Sequence, residues 1–184
     1  MKKIALALLL LPTISFAENV NFFNAEIGIG GDNIDTVNSI GYEAVVGGKL
    51  SAGLKYVDLQ FEDGSKYDSL EINVDYAFNT FDTGSLYTGV GTVMPYNEGG
   101  DILGGILQSP NSAHDKLSTA VKAGYSKRSG DSLDFDIGVV FVDNYTMYKA
   151  SLRVPLNGDF GLTYAVTQIE SGTALASLGL SFTL

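Results

Sequence analysis

The residues best placed to do chemistry are charges spaced two apart on the polar side of alternating segments. Lys122, Asp134, Asp136, Lys149 and Arg153 fall this way in three successive segments, and Glu71, Asn73 and Asp75 repeat the spacing in a fourth. Glu26 and Glu43 share that side in two more. Residues two apart on a strand share a face, so these groups would meet inside a sheet that closes on itself. Two chemistries suit such a set. Opposite charges on neighbouring strands would pair, fill the interior and fix the register, because an unpaired charge in a narrow space carries a heavy desolvation cost. Alternatively they would line a path for ions, one that prefers cations because acids outnumber bases among them. Pairing is the reading adopted, and conduction is its rival. Gly161, Thr163, Gly179 and Ser181 lie on the same side and leave room for long Lys and Arg side chains, or for water.

Other chemistries have thin support. The chain has no Cys and one His, which removes thiol nucleophiles, thiolate metal sites and disulfides. His114-Asp115, with Ser112 or Ser118 nearby, is the sole catalytic candidate, and no Gly-x-Ser-x-Gly elbow accompanies it. It reads as a polar loop, so no enzyme is expected. Asp32-Asn33-Ile34-Asp35 and Glu62-Asp63-Gly64 could hold Ca²⁺ weakly, but both lack the sixth-position Gly and closing Glu of a calcium loop. They read as acidic turns, and neither a metal nor a cofactor is expected. Gly28-Ile29-Gly30-Gly31 and Gly89-Val90-Gly91 open no helix and precede no Gly-Lys-Ser/Thr, so they are not phosphate loops. A formal charge of -10 argues against nucleic acid.

The elements that must position the charges are strands. Leu70, Ile72, Val74, Tyr76 and Phe78 alternate with Glu71, Asn73, Asp75 and Ala77. The same period of two recurs at 133–141, 148–154, 160–166 and 177–184. It predicts ten strands, near 20–30, 39–48, 50–61, 69–78, 85–94, 116–126, 132–142, 145–154, 160–168 and 174–184. The second and third are ambiguous. Gly47-Gly48 is either a turn or a kink inside one long strand, and if the pair at 39–61 resolves differently the count falls to eight. The third changes phase, with Leu54 and Tyr56 on one face and Val57, Leu59 and Phe61 on the other, which a bulge would explain.

Register is legible as well. A two-residue turn at Asp143-Asn144 pairs Leu133 with Val154, Phe135 with Leu152, Ile137 with Ala150 and Val139 with Tyr148. On the other face Asp134 meets Arg153 and Gly138 meets Lys149. Across a turn at Lys127–Asp131, Lys122 is expected opposite Asp136, or opposite Asp134 after a two-residue slip. Connections alternate in length, with the two-residue 143–144 breaking the trend. Those near 47–49, 79–84, 127–131 and 155–159 are expected at one end, and 31–38, 62–68, 95–115, 143–144 and 169–173 at the other.

The N-terminus is an address. Lys2 and Lys3, the apolar run Ile4–Leu11 and the small residues of Ser15-Phe16-Ala17 read as a secretory signal spanning 1–17, too short to cross a membrane. Residues 18–184 form one domain, and losing both lysines makes it two units more negative. Four features place the apolar face outside. The strands have the length that spans a bilayer when tilted. Aromatics gather near strand ends: Phe22, Phe23, Phe78, Phe81, Tyr125, Phe160 and Phe182 at one rim, Phe61, Tyr67, Phe141 and Tyr145 at the other. The polar face mixes small residues with matched charges. The connections have a short end and a long end.

On these residues the chain resembles the small bacterial outer-membrane β-barrels, the class of OmpA-like transmembrane domains and other eight- to ten-stranded barrels, over all of 18–184. The ending Ser177-Leu178-Gly179-Leu180-Ser181-Phe182-Thr183-Leu184 looks like that class's C-terminal assembly signal, with Leu184 where an aromatic is usual and Phe182 two before it. The resemblance implies an all-β, closed, antiparallel up-and-down transmembrane barrel in the cell outer membrane. Its implied partners are outer-membrane lipid, lipopolysaccharide and the barrel-insertion machinery. The expected role is structural or surface interaction through the loop 95–115, with Ile102, Leu103, Ile106 and Leu107 as its apolar contact. A narrow porin-like channel for ions or small solutes is the first alternative, and an exported soluble barrel binding an apolar ligand is the second.

Overall fold

The computed structural model describes residues 20–31, 34–95, 118–129, 132–143, 145–170 and 172–184. They form ten strands: β1 Val20–Gly30, β2 Ile34–Val46, β3 Leu50–Phe61, β4 Lys66–Phe81, β5 Gly84–Pro95, β6 Ser118–Lys127, β7 Asp134–Val142, β8 Tyr145–Asn157, β9 Phe160–Ile169 and β10 Ala174–Thr183. Each strand pairs antiparallel with its neighbours in sequence, and β1 pairs with β10 to close the barrel. Closure leaves no edge with unpaired backbone groups. The ambiguity at 39–61 resolves into two strands. Gly47 and Gly48 adopt φ of 56° and 65°, a left-handed pair that turns β2 into β3 and that residues with a Cβ adopt only under strain.

The period of two becomes an inside and an outside. Ile27, Ile29, Val74, Tyr76, Ile137, Phe141, Tyr164 and Val166 stand exposed on the outer face, Ile29 at 67 %. The alternate positions face the lumen. A monomer in water does not expose so wide an apolar belt. With charges inside and aliphatics outside, the soluble apolar-ligand barrel has its faces the wrong way round.

Strand ends follow the expected two sides. The 47–49, 82–83, 128–133 and 158–159 connections share one end with the start of β1 and the end of β10, here called the turn end. The opposite, loop end carries 62–65, 170–173 and the β7–β8 turn, where Asp143 is left-handed at φ 40°.

Four expectations need correction. β3 contains no bulge, and its pairing with β4 is regular throughout. The irregularity is in β2, between Ile34 and Thr36. Val57, Leu59 and Phe61 therefore keep the inward phase of Lys55, and the apolar run simply points into the barrel. For the same reason the loop-end aromatics do not all form an outer rim. Phe61 is buried with Ile34, Val37 and Leu59, and Tyr67 packs on that cluster. Tyr145 packs on a second inward cluster of Ala120, Val140, Val142, Met147 and Ile169. Phe22, expected at the turn-end rim, is also buried, with the Arg153 guanidinium over its ring. Phe23, Phe81, Tyr125, Phe135, Phe160 and Phe182 do form paired contacts at that rim, with Phe160 and Phe182 centroids 4.4 Å apart.

The fourth correction concerns the β6–β7 register. β7 pairs with β8 as expected, Asp134 opposite Arg153 and Gly138 opposite Lys149. Lys122, however, lies opposite Val140, and Lys127 opposite Phe135. The connection runs from 128 to 133, longer than the expected turn, and the Asp134 Oδ1 at its end accepts hydrogen bonds from the Ser129 N–H at 2.7 Å and the Ser129 hydroxyl at 2.8 Å.

Candidate functional site: a charged lumen

Inward-facing charges from seven strands and one connection converge on the barrel axis. Lys122 of β6 reaches Asp75 of β4 at 3.4 Å, across β5. That reach is open because the intervening inward positions of β5 are Gly89 and Gly91, and a Cβ at Gly89 would collide with the Asp75 carboxylate. Lys149 of β8 meets Glu71 of β4 at 3.6 Å, across the barrel. Arg153 of β8 meets Asp134 of β7 at 3.5 Å, and both side chains are almost fully buried, at 7 % and 6 % exposure. Its Nε donates to the Ser181 hydroxyl at 2.8 Å, and a terminal nitrogen donates to Thr183 at 2.6 Å. Gly161 leaves the space in which this guanidinium and Ser181 lie.

The seven residues singled out from sequence thus all lie in the lumen, though not all with the partners expected. Lys122 pairs with Asp75, not with Asp136 or Asp134, as the corrected register dictates. Asp136 pairs instead with Arg128, a residue the sequence reading left in a turn. Glu26 pairs with Lys55 at 3.1 Å and also accepts hydrogen bonds from Ser39 and Ser177. Strand phase could have found both missed cations. The even phase of Lys122, Gly124 and Ser126 continues to Arg128, and the odd phase of Ser51 and Gly53 continues to Lys55.

Arg128 is the hub. One terminal nitrogen donates to the Ser51 hydroxyl at 2.9 Å and pairs with Glu43 at 3.2 Å. The other donates to Asp136 and lies 3.8 Å from Asp75. The guanidinium sits 5.1 Å from the Tyr87 ring centroid, and the Tyr87 hydroxyl donates to Asp136 at 2.9 Å. A rigid planar fork suits such multiple recognition better than an ammonium would. Tyr87 reaches Asp136 over Gly124 and Gly138, where a Cβ would stand 2.6 Å and 2.5 Å from its hydroxyl. The inward glycines are therefore clearance for particular side chains.

Two cavities lie in the lumen. One, of about 250 Å³, occupies the middle of the barrel and is lined by Glu26, Lys55, Glu71, Asn73, Lys149 and others. The second, of about 170 Å³, lies at the turn end among Lys49, Ser51, Ser85 and Ser126. Asp75, Tyr87, Lys127 and Arg128 border both. Towards the loop end the described inward side chains form the two apolar clusters.

Of the remaining candidates, Ile102, Leu103, Ile106 and Leu107, and likewise Ser112 and His114, lie outside the described residues. In Glu62-Asp63-Gly64 the Asp63 carboxylate accepts hydrogen bonds from the Ser65 hydroxyl and N–H, which hold it below the usual carboxylate range. Among the described residues, no three His, Cys, Asp or Glu side chains are grouped to hold a metal.

No protein-family profile matches the chain, and no curated protein sequence does. Solved structures do. The KdgM porin is similar over 90% of this chain and 99% of its own, with a TM-score of 0.50 at 7% identity. The N-terminal β-barrel domain of Pseudomonas aeruginosa OprF aligns over 90% and 97%, with a TM-score of 0.43 at 13% identity. The Pseudomonas aeruginosa outer membrane protein OprG aligns over 90% and 95%, with a TM-score of 0.39 at 13% identity. At these identities the likeness is one of fold, and the fold is that of the outer-membrane β-barrels.

Proposed function

We propose that this protein is an integral outer-membrane barrel with a closed, ion-paired lumen, not an enzyme, acting as a structural element or through surface contacts of the loop 95–115. The observation that carries this reading is the orientation of the faces. An apolar belt covers the outside while five cations meet six carboxylates inside. In hydrocarbon every backbone polar group needs an internal partner, and a closed barrel supplies it. A narrow interior in which charges pair avoids the penalty of stranding one. Lipid and lipopolysaccharide are then the surroundings of the barrel. The C-terminal strand would be read by the insertion machinery, and Ile102, Leu103, Ile106 and Leu107 would make the surface contact.

The full-length chain should appear in the outer-membrane fraction as a band that migrates differently boiled and unboiled. A soluble periplasmic protein with no heat shift would overturn the reading. Replacing Ile102, Leu103, Ile106 and Leu107 with Ser should leave that heat shift intact and weaken binding to lipopolysaccharide-containing vesicles. Unchanged vesicle binding would remove the loop's contact role.

Two cavities in line favour a second reading, a narrow conduit that is shut in this state. Planar-bilayer recording separates the two. The closed barrel predicts no stable unitary steps, and a conduit predicts steps that change when Lys122 or Arg153 is replaced.

A further inference from the structure

Arg128 differs from the other ion-paired lumen cations among the described residues. Lys55, Lys122, Lys149 and Arg153 are carried by strands whose backbone is fixed in the ladder. Arg128 is carried by the connection after β6, one residue beyond its last strand residue, Lys127. Its backbone lies outside the strand ladder, at the turn-end rim, between Lys127 of β6 and Ser129, which is held by Asp134. Its contacts lie on β2, β3, β4, β5 and β7, so one side chain from the β6 end bridges half the barrel wall. It also stands between the mid-barrel cavity and the turn-end cavity.

We propose that Arg128 is a releasable latch over the turn-end mouth. Its withdrawal joins the two cavities and leaves Glu43, Asp75 and Asp136 facing the opening; Lys122 stays on Asp75, and Lys49, Lys127 and Asp82 line the turn-end cavity, so four carboxylates still face three ammonium groups there. The opened mouth therefore admits cations in preference to anions. The apolar clusters stand towards the loop end, so withdrawal makes a vestibule at the turn end. This inference rests on the closed-lumen reading above, and its test is separable from that reading.

The chain has no Cys, so a single introduced thiol reports without background. Ser151 is exposed to the mid-barrel cavity. The full chain carrying Ser151→Cys, folded in detergent, is treated with a cationic or an anionic methanethiosulfonate of similar size. With Arg128 present, both should react slowly. Adding Arg128→Ala should raise the cationic reagent's rate by about tenfold or more, as local opening becomes easy, and raise the anionic rate less. Arg128→Lys, which keeps the charge but loses the fork, should fall between them. It also serves as the test if the Ala variant fails to fold. The heat shift in each variant shows that the barrel is intact. An intact barrel in which neither substitution changes the reaction rates of the introduced thiol would overturn the latch. Equal acceleration of both reagents would overturn the cation preference and indicate general loosening.

Discussion

At the scale of single residues, the interior is organised by which positions lack a Cβ. Gly138 faces the Tyr87 hydroxyl, and an added methyl would also stand 3.0 Å from the Ala123 carbonyl oxygen. Gly138→Ala should therefore displace Tyr87 from Asp136 and lower stability by about 1–3 kcal/mol, the range for overpacking a filled interior. Urea unfolding in detergent measures it. The Arg153–Asp134 pair is buried on both sides, so Arg153→Met leaves the buried Asp134 carboxylate without its cation and should cost about 3–5 kcal/mol. The double variant Arg153→Met, Asp134→Asn leaves no charge behind and should recover most of that loss. If the double variant is as unstable as the single one, the cost belongs to lost packing on Phe22 and not to the stranded charge. The inward charges were readable from the sequence because polarity alternates with apolarity on the same strand. The purpose of each inward glycine was not, because it depends on a side chain two strands away.

At the scale of elements, hairpin register was legible where one turn and one apolar face constrain it together. Between β7 and β8, a slip of one residue would turn the outward Ile137, Val139 and Leu152 into the lumen and its charges out to the lipid face, and the two-residue turn fixes the rest. Between β6 and β7 no such turn exists. A shift by an even number of residues keeps all faces correct, and charge matching alone favoured Lys122 with Asp136. The observed register comes with hydrogen bonds from Ser129 to Asp134, an interaction local to the connection and invisible in strand alternation. The observed register predicts that Lys122→Cys with Val140→Cys forms a disulfide on mild oxidation, since opposite residues stand about 4.5–5.5 Å apart. Lys122→Cys with Asp136→Cys should not, because four residues along a strand separate them by roughly 13 Å. The reverse pattern would restore the charge-matched register. Strand ends were misread where apolar residues continue inward. Val57, Leu59 and Phe61 have the composition of an outer belt and the phase of a lumen plug, and phase prevails.

At the scale of the whole molecule, the barrel has one apolar outside and two unlike ends inside. Towards the loop end the described inward side chains are aliphatic and aromatic, while the turn end is floored by two guanidiniums. Arg128 draws in the walls from β2 to β5 and β7, and Arg153 those of β7, β8, β10 and β1. The architecture and the orientation of its faces were legible because a bilayer demands the same alternation from every strand. What the lumen does was not, because that depends on cross-barrel partners such as Lys149 with Glu71, which no local pattern specifies. The most direct test uses the Cys-free background. Single cysteines at successive positions 162 to 167 on β9 would each carry a small fluorophore, in barrels folded into vesicles of brominated lipid. Leu162, Tyr164 and Val166 point outward, so labels there should be strongly quenched. Labels at Thr163, Ala165 and Thr167 should be protected. Quenching that fails to alternate, or that alternates in the opposite phase, would contradict a lipid-facing apolar belt around a charged lumen.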